Sequence, residues 1–202
     1  VVFEIGLTPN RSDAMSHIGV ARDLKAVLNS RGDDLKMCLP SIKDFKIDNK
    51  YLTIDVNIES EALCPRYSGV SISNVIVNAS PDWLKHKLLS IGINPINNIV
   101  DITNYVLHET GQPLHAFDTE KILGKEIIVK TLSKDTNFIT LDENKRKLSE
   151  NDLMICNAEE PMCIAGVFGG LDSGVTNDTK SIFIESAYFD PTSIRKTAKY
   201  HK

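Results

Sequence analysis

Gly124-Lys-Glu-Ile-Ile-Val-Lys-Thr-Leu132, followed by Asn137-Phe-Ile-Thr-Leu141, marks where this chain turns β-rich. Both runs are dense in β-branched and aromatic residues, and Ser133-Lys-Asp135 between them has the composition of a turn. Downstream, Leu153 to Ala158 and Ser181 to Glu185 read as further short strands, and Asp190-Pro191 opens a last helix over Thr192 to Lys202. Upstream, Tyr51 to Ser60 alternates apolar with polar and Tyr67 to Val77 is again β-branched. These two segments read as strands around a turn at Cys64-Pro65.

Helical patterns lie before and between the strands. Ser12 or Asp13 can cap a helix that carries Ile18, Ala21, Leu24, Val27 and Leu28 at helical spacing and stops at Gly32. Ser80-Pro81 starts a second helix, with Trp83, Leu84, Leu88 and Leu89 on one side and its end near Gly92 and Pro95. Asn97 to Glu109 predicts a third, closed by Gly111 and Pro113. Helices that interleave irregularly with strands, without a repeat, predict an α+β fold with mixed β-sheets and flanking helices rather than a doubly wound parallel sheet. The acidic, Pro-containing stretch Asp33 to Pro40 places a join near residue 44, with an N-terminal helical segment over 1–44 and the main domain over 45–202.

Composition narrows the functional classes. With 42% hydrophobic and 25% charged residues in 202, the chain has globular composition. No apolar run approaches the roughly 18–20 residues that span a bilayer, and Val1 to Pro9 lacks the pattern of a signal peptide, so the chain reads as soluble and cytosolic, with no membrane partner. Cys38, Cys64, Cys156 and Cys163 form no Cys-x-x-Cys pair and the five histidines have no zinc-finger spacing, which leaves a metal enzyme the weakest reading. A net charge of -4 argues against gripping nucleic acid unaided. Its local exception is Arg195, Lys196, Lys199 and Lys202, which a solvated helix face would equally produce.

Four segments carry candidate chemistry. Ile164-Ala-Gly-Val-Phe-Gly-Gly-Leu-Asp-Ser-Gly174 has four glycines in nine residues, yet it lacks the G-x-G-x-x-G order, a Walker lysine and the frame of a nucleophile elbow. By itself it reads as a structural loop. Asp101-Ile-Thr-Asn-Tyr105 sits inside the third helix although Thr103 and Asn104 are weak helix formers, and Gly111-Gln-Pro-Leu-His-Ala-Phe-Asp118 follows it with His115 after a Pro-bearing turn. Glu185 ends the apolar run Ile182-Phe-Ile-Glu185, where a carboxylate either meets solvent or points into a pocket.

Taken together, Asp-x-Thr-Asn-Tyr-Val, Gly-Gln-Pro-x-His-Ala-Phe-Asp and Gly-x-Phe-Gly-Gly with Ser-Gly-Val resemble, in order and spacing, the motifs of the bacterial phenylalanyl-tRNA synthetase β chain. The likeness continues through Leu7-Thr-Pro-Asn-Arg-Ser-Asp13 and Glu185-Ser-Ala-Tyr-Phe-Asp-Pro191, covering essentially the whole chain. It implies that residues 1–44 complete a preceding module and that 45–202 form the editing module, which continues past the last helix. The family's editing pocket maps onto Thr103, Asn104, His115, Gly169 and Glu185. On that resemblance Thr103, Asn104 and His115 take the catalytic part and Glu185 and Gly169 bind the substrate. The resemblance further implies an α2β2 enzyme that charges phenylalanine tRNA. ATP and magnesium then work on its α chain, no cofactor or metal belongs to this segment, and the 3′ aminoacyl end of the tRNA visits it.

The implied reaction is hydrolysis of tyrosine wrongly attached to phenylalanine tRNA. An apolar synthetic pocket rejects one added hydroxyl only weakly, so a second site must select for it. A buried carboxylate at Glu185 would accept the phenol O–H, contributing about 1.5–3 kcal/mol, or roughly 10- to 150-fold between the two esters. Thr103 and Asn104 are suitable donors to a developing oxyanion, and His115 could either activate water or position it. The alternative is a non-catalytic module that binds an aromatic amino acid, or docks tRNA and the neighbouring subunit.

Overall fold

The computed structural model describes residues 2–202, which divide into two compact units. The first takes the chain up to Lys50 together with Ala79–Leu114; the second takes Tyr51–Asn78 and His115–Lys202. The join expected near residue 44 concerns the modules of a longer chain and stands as a proposal beside this division.

The first unit is helical. Its helices are α1 (His17–Ser30), α2 (Asp82–Ser90) and α3 (Asn98–Thr110), and both α1 and α2 pack on α3. The start expected for α1 at Ser12 or Asp13 lies several residues early. Ser12–Ala14 form a single 3₁₀ turn, and Ser16 caps the helix by accepting from the Gly19 N–H at 2.9 Å. Asp13 cannot serve as the cap because its carboxylate is held by Arg11 at 3.0 Å, and Arg11 also reaches Asp23 at 2.7 Å. Asn97 caps α3, accepting from the N–H groups of Ile99 and Val100. Asp101, fully buried, accepts from the Ser80 hydroxyl and from the Ile96 N–H at 2.8 Å, which ties the entrances of α2 and α3 together.

The second unit holds the strands, in chain order β1 (Asp55–Ile58), β2 (Arg66–Ser73), β3 (His115–Asp118), β4 (Glu126–Thr131), β5 (Asn137–Ile139), β6 (Lys145–Lys147), β7 (Leu153–Cys156), β8 (Pro161–Ile164), β9 (Phe168–Gly169) and β10 (Ser181–Tyr188). A five-stranded sheet runs β1-β4-β7-β8-β9, a three-stranded one β2-β10-β3, and β5 pairs with β6. The β1–β4 pair is parallel and its sheet otherwise antiparallel, so the fold is α+β with mixed sheets. β1 and β2 flank a turn, which lies at Ser60–Cys64 rather than at the expected Cys64-Pro65, and they do not pair: β1 joins β4, and β2 joins β10.

Burial explains the β7 run. Leu153 and Ile155 face a cluster with Ile127, Val129, Phe117, Phe183 and Cys163, while Met154 and Cys156 face a second cluster with Phe138, Leu148 and Ile164. With both faces covered, the strand shows no alternation. The first cluster joins the two larger sheets, since Phe117 lies on β3 and Phe183 on β10. The chain closes with α4 (Pro191–Tyr200), capped by Asp190 accepting from the Ser193 N–H at 2.7 Å. Arg195, Lys196 and Lys199 lie on its exposed side.

Candidate functional site

The site begins with strand register. Antiparallel pairing sets Glu185 on β10 opposite His115 on β3 and, across the other edge, opposite Gly69 on β2. Directly opposed residues share a face of the sheet, and Phe117 and Phe183 lie two residues along on that same face. This is the face that closes the apolar core, so Glu185 sits, 6% exposed, at the rim of a hydrophobic cluster. His115 opens a strand here, where the sequence suggests a turn, because Ile184–Glu185 offer its backbone a ladder partner.

Gly69 leaves the space opposite Glu185 empty of side chain, and the Phe183 ring fills it. A Cβ at residue 69 would stand 2.0 Å from Phe183 Cζ, so no side chain fits there while the ring keeps its place. Gly169 approaches from the glycine-rich segment, which forms the edge hairpin β8–β9 rather than a loop. A Cβ on it would lie 2.7 Å from Leu141 Cδ1 and 3.3 Å from His115 Cε1. His115, Gly169 and Glu185 are therefore brought together within the second unit.

Burial sets the electrostatics. It pushes the Glu185 carboxyl up to about 7, moderated by one hydrogen bond, and lowers the His115 imidazole to about 4. The imidazole is thus neutral at neutral pH. Its Nε2 is shut from solvent and meets no hydrogen-bond partner among the described residues, while its ring packs edge-on against Phe117 at 4.4 Å between centroids. An orphaned polar atom inside a folded domain is uncommon and marks a place where a ligand group can complete the structure.

The hydrogen bond that moderates Glu185 comes from Tyr67, whose Oη donates to Oε2 at 2.8 Å. Burial and then the Glu185 charge raise the Tyr67 phenol far above its ordinary range, so it stays a neutral donor. Tyr67 has only a faint trace in the sequence: a tyrosine beginning a β-branched strand is ordinary. Its role emerges from register, which pairs Tyr67 with Ala187 and so sets it diagonally from Glu185.

Thr103 and Asn104 lie on α3, in the first unit. Thr103 is buried and its hydroxyl donates to the Val100 carbonyl of its own helix at 2.7 Å, which engages its proton locally; Asn104 is half-buried. Among the described residues, no three of His, Cys, Asp and Glu gather in a way that could hold a metal ion, and no helix is long and apolar enough to cross a membrane.

Comparison with known proteins bears on this arrangement. The B3/4 domain model matches residues 63–202. The phenylalanine-tRNA ligase β subunit of Bacteroides thetaiotaomicron is 59% identical over 200 residues, 99% of this chain and 24% of that protein. That of Porphyromonas gingivalis is 52% identical over 198 residues, 98% of this chain and 24% of that protein. The chain thus spans about a quarter of the length of the curated relatives it matches. Among solved structures, an N-terminal fragment of the phenylalanyl-tRNA synthetase β-subunit from Pyrococcus horikoshii aligns over 92% of this chain and 55% of that chain, with TM-score 0.52 and 18% identity, a likeness of fold. On the extent of the B3/4 match and the identity of these relatives, the chain belongs to the B3/4 domain family, in the branch carried by phenylalanine-tRNA ligase β subunits.

Proposed function

We propose that this domain hydrolyses tyrosine from mischarged phenylalanine tRNA, as the editing module of a phenylalanine-tRNA ligase. The supporting observation is the contact already present at Glu185: its buried carboxylate accepts a phenol hydroxyl, from Tyr67, at 2.8 Å. A carboxylate offers about four acceptor sites, so a second phenol can be received beside the first. A phenylalanyl group has no hydroxyl and would leave the remaining acceptor oxygen without a partner, at an expected penalty of about 1.5–3 kcal/mol.

In the reaction, water adds to the ester carbonyl and the bond to the terminal ribose oxygen breaks, releasing tyrosine and free tRNA. The ester is already activated, so positioning accounts for much of the acceleration. His115 fits a positioning part better than that of a base. An imidazole lowered to about 4 is a weak proton acceptor, whereas its unpartnered Nε2 can hold the water or the terminal adenosine. The tRNA's own ribose hydroxyl assists; Thr103, whose hydroxyl proton goes to the Val100 carbonyl, and Asn104 belong to the first unit and carry no part of this step. Gly169 lets the His115 ring and the Leu141 side chain approach its backbone, where a Cβ would crowd both.

On this reading the domain works within an α2β2 ligase in the cytoplasm. It receives the 3′ end of phenylalanine tRNA, and ATP with magnesium serves charging on the α chain. The exposed Arg195, Lys196 and Lys199 are too few to hold a tRNA unaided, so the rest of the enzyme presents it.

The test is release of tyrosine from Tyr-tRNA(Phe), beside phenylalanine from Phe-tRNA(Phe), by the intact ligase and its Glu185→Ala variant. Clearing of the tyrosyl ester alone, reduced roughly 10- to 150-fold in the variant with charging retained, is the expected result. An intact enzyme that clears neither ester would make this a binding or assembly module. His115→Ala is expected to slow clearing and leave a measurable residue; complete loss with mischarged tRNA still bound would instead make His115 the obligatory base.

A further inference from the structure

Glu185 is surrounded by groups that carry no positive charge. Tyr67 reaches it from β2, His115 opposes it from β3, Cys163 lies on β8, and Cys64 lies in the turn before β2. Both thiols are raised by burial and then by the Glu185 charge, so they stay protonated, and the imidazole is neutral. Among the described residues, the Tyr67 hydroxyl is the one side-chain donor bonded to the carboxylate.

The geometry is specific. Tyr67 and Glu185 share a face of the β2–β10 pair, with Gly69 between them on the strand and the Phe183 ring occupying the side-chain space of Gly69. The ring gives the carboxylate a rigid flank, and the phenol secures Oε2. Oε1 keeps its accepting capacity.

We propose that Tyr67 is a positioning residue for amino-acid selection: its phenol fixes Oε2 of Glu185 and thereby presents Oε1 to the hydroxyl of an incoming tyrosyl group. The proposal rests on the editing function above. Its physical content is that a single donor does two things. It restricts rotation of the carboxylate, so that the second acceptor has one direction, and it favours the ionised form that burial opposes. The bond from Tyr67 pulls the Glu185 carboxyl down; without it, the carboxyl rises further and the neutral form gains ground.

Tyr67→Phe removes the hydroxyl and keeps the ring in its packed position. In the intact ligase, release of tyrosine from Tyr-tRNA(Phe) is followed across about pH 6 to 9, with phenylalanine charging as the fold control. Selection by an ionised carboxylate makes clearing rise with pH through the Glu185 transition. The variant's rise is expected about one to two pH units higher, with clearing near pH 7 reduced roughly 10-fold and recovered at alkaline pH. In a Glu185→Gln background, which has no carboxylate to tune, Tyr67→Phe is expected to add nothing. An unshifted profile, a uniform loss without alkaline recovery, or an added loss in the Glu185→Gln background each overturns the proposal. Faster clearing by the variant would mean that Tyr67 competes with the substrate, which also overturns it. A parent enzyme that clears no tyrosine defeats the editing function itself, an outcome distinct from parental activity with an unaffected Tyr67→Phe variant.

Discussion

Gly169→Val is expected to reduce tyrosine release from mischarged tRNA by more than about 100-fold while lowering the stability of the domain only modestly. A Cβ at this position meets two neighbours of different kinds. Leu141 Cδ1, 2.7 Å away, is the tip of a flexible side chain that is 53% exposed, and it can swing aside. His115 Cε1, at 3.3 Å, belongs to a ring packed on Phe117, which is fully buried, and it has little room to retreat. The methyl groups of valine therefore either push the imidazole or occupy the space in front of it. A misplacement of about 1 Å in a positioning group can reduce a rate about 100-fold. Alanine, with one carbon to place, is expected to retain intermediate activity. Single-turnover release by the two variants, with melting curves alongside, measures both quantities. Parental clearing by Gly169→Val would show that residue 169 is remote from the reacting ester.

The same comparison shows why some of the site is legible in sequence. Glu185 closes the apolar run Ile182-Phe-Ile, and a period of two sets it on the face of Phe183, but the run leaves both solvent and a pocket open for the carboxylate; the strand continues to Tyr188, and it is the core packed on that face that buries Glu185. Gly169 stands out through glycine density. Tyr67 and Gly69 do not, because what matters about them is a pairing across more than a hundred residues of chain, and register between distant strands is written in no local pattern. Thr103 illustrates a different limit. Residue type makes it a candidate donor, while the structure engages its hydroxyl with the Val100 carbonyl, a common fate of threonine inside a helix.

The fold divides along similar lines. α2, α3 and α4 start close to their expected positions because Pro81, Asn97 and Asp190 are local signals at their ends. β6 escapes notice because Lys145-Arg-Lys147 pairs only with β5 in a two-stranded sheet and has no buried face to impose alternation. β3, β8 and β9 are short and lie beside Pro or Gly, where composition favours turns, and only their ladder partners make them strands. The separation of β1 and β2 has a related cause. A turn between two strands does not oblige them to pair when each finds a longer-range partner, β4 and β10 respectively.

Asp152→Ala is expected to be the most destabilising of these substitutions, by about 3–5 kcal/mol, the usual range when one member of a buried ionisable pair is removed. Asp152 is 2% exposed and accepts three hydrogen bonds: from His201 Nε2 at 2.7 Å, from the Thr197 hydroxyl at 2.9 Å, and from the Ser149 N–H at 2.8 Å. Thr197 and His201 lie four residues apart at the inner side of α4 and just beyond its end, so one carboxylate fastens the helix to the approach to β7. Arg146 adds a bond to the His201 carbonyl from β6. Alanine strands three donors in the interior, each with a desolvation penalty of about 1–3 kcal/mol if it stays unpaired. For a chain of this size the melting temperature should fall by roughly 10 °C, and amide exchange should accelerate in α4 before it does in β4 or β7. His201→Ala in the Asp152→Ala background should add much less than it does alone, because the partner it served is already gone. Fully additive losses, or an α4 that exchanges no faster than in the parent, would mean that the helix is held by its apolar packing and that the buried carboxylate contributes little.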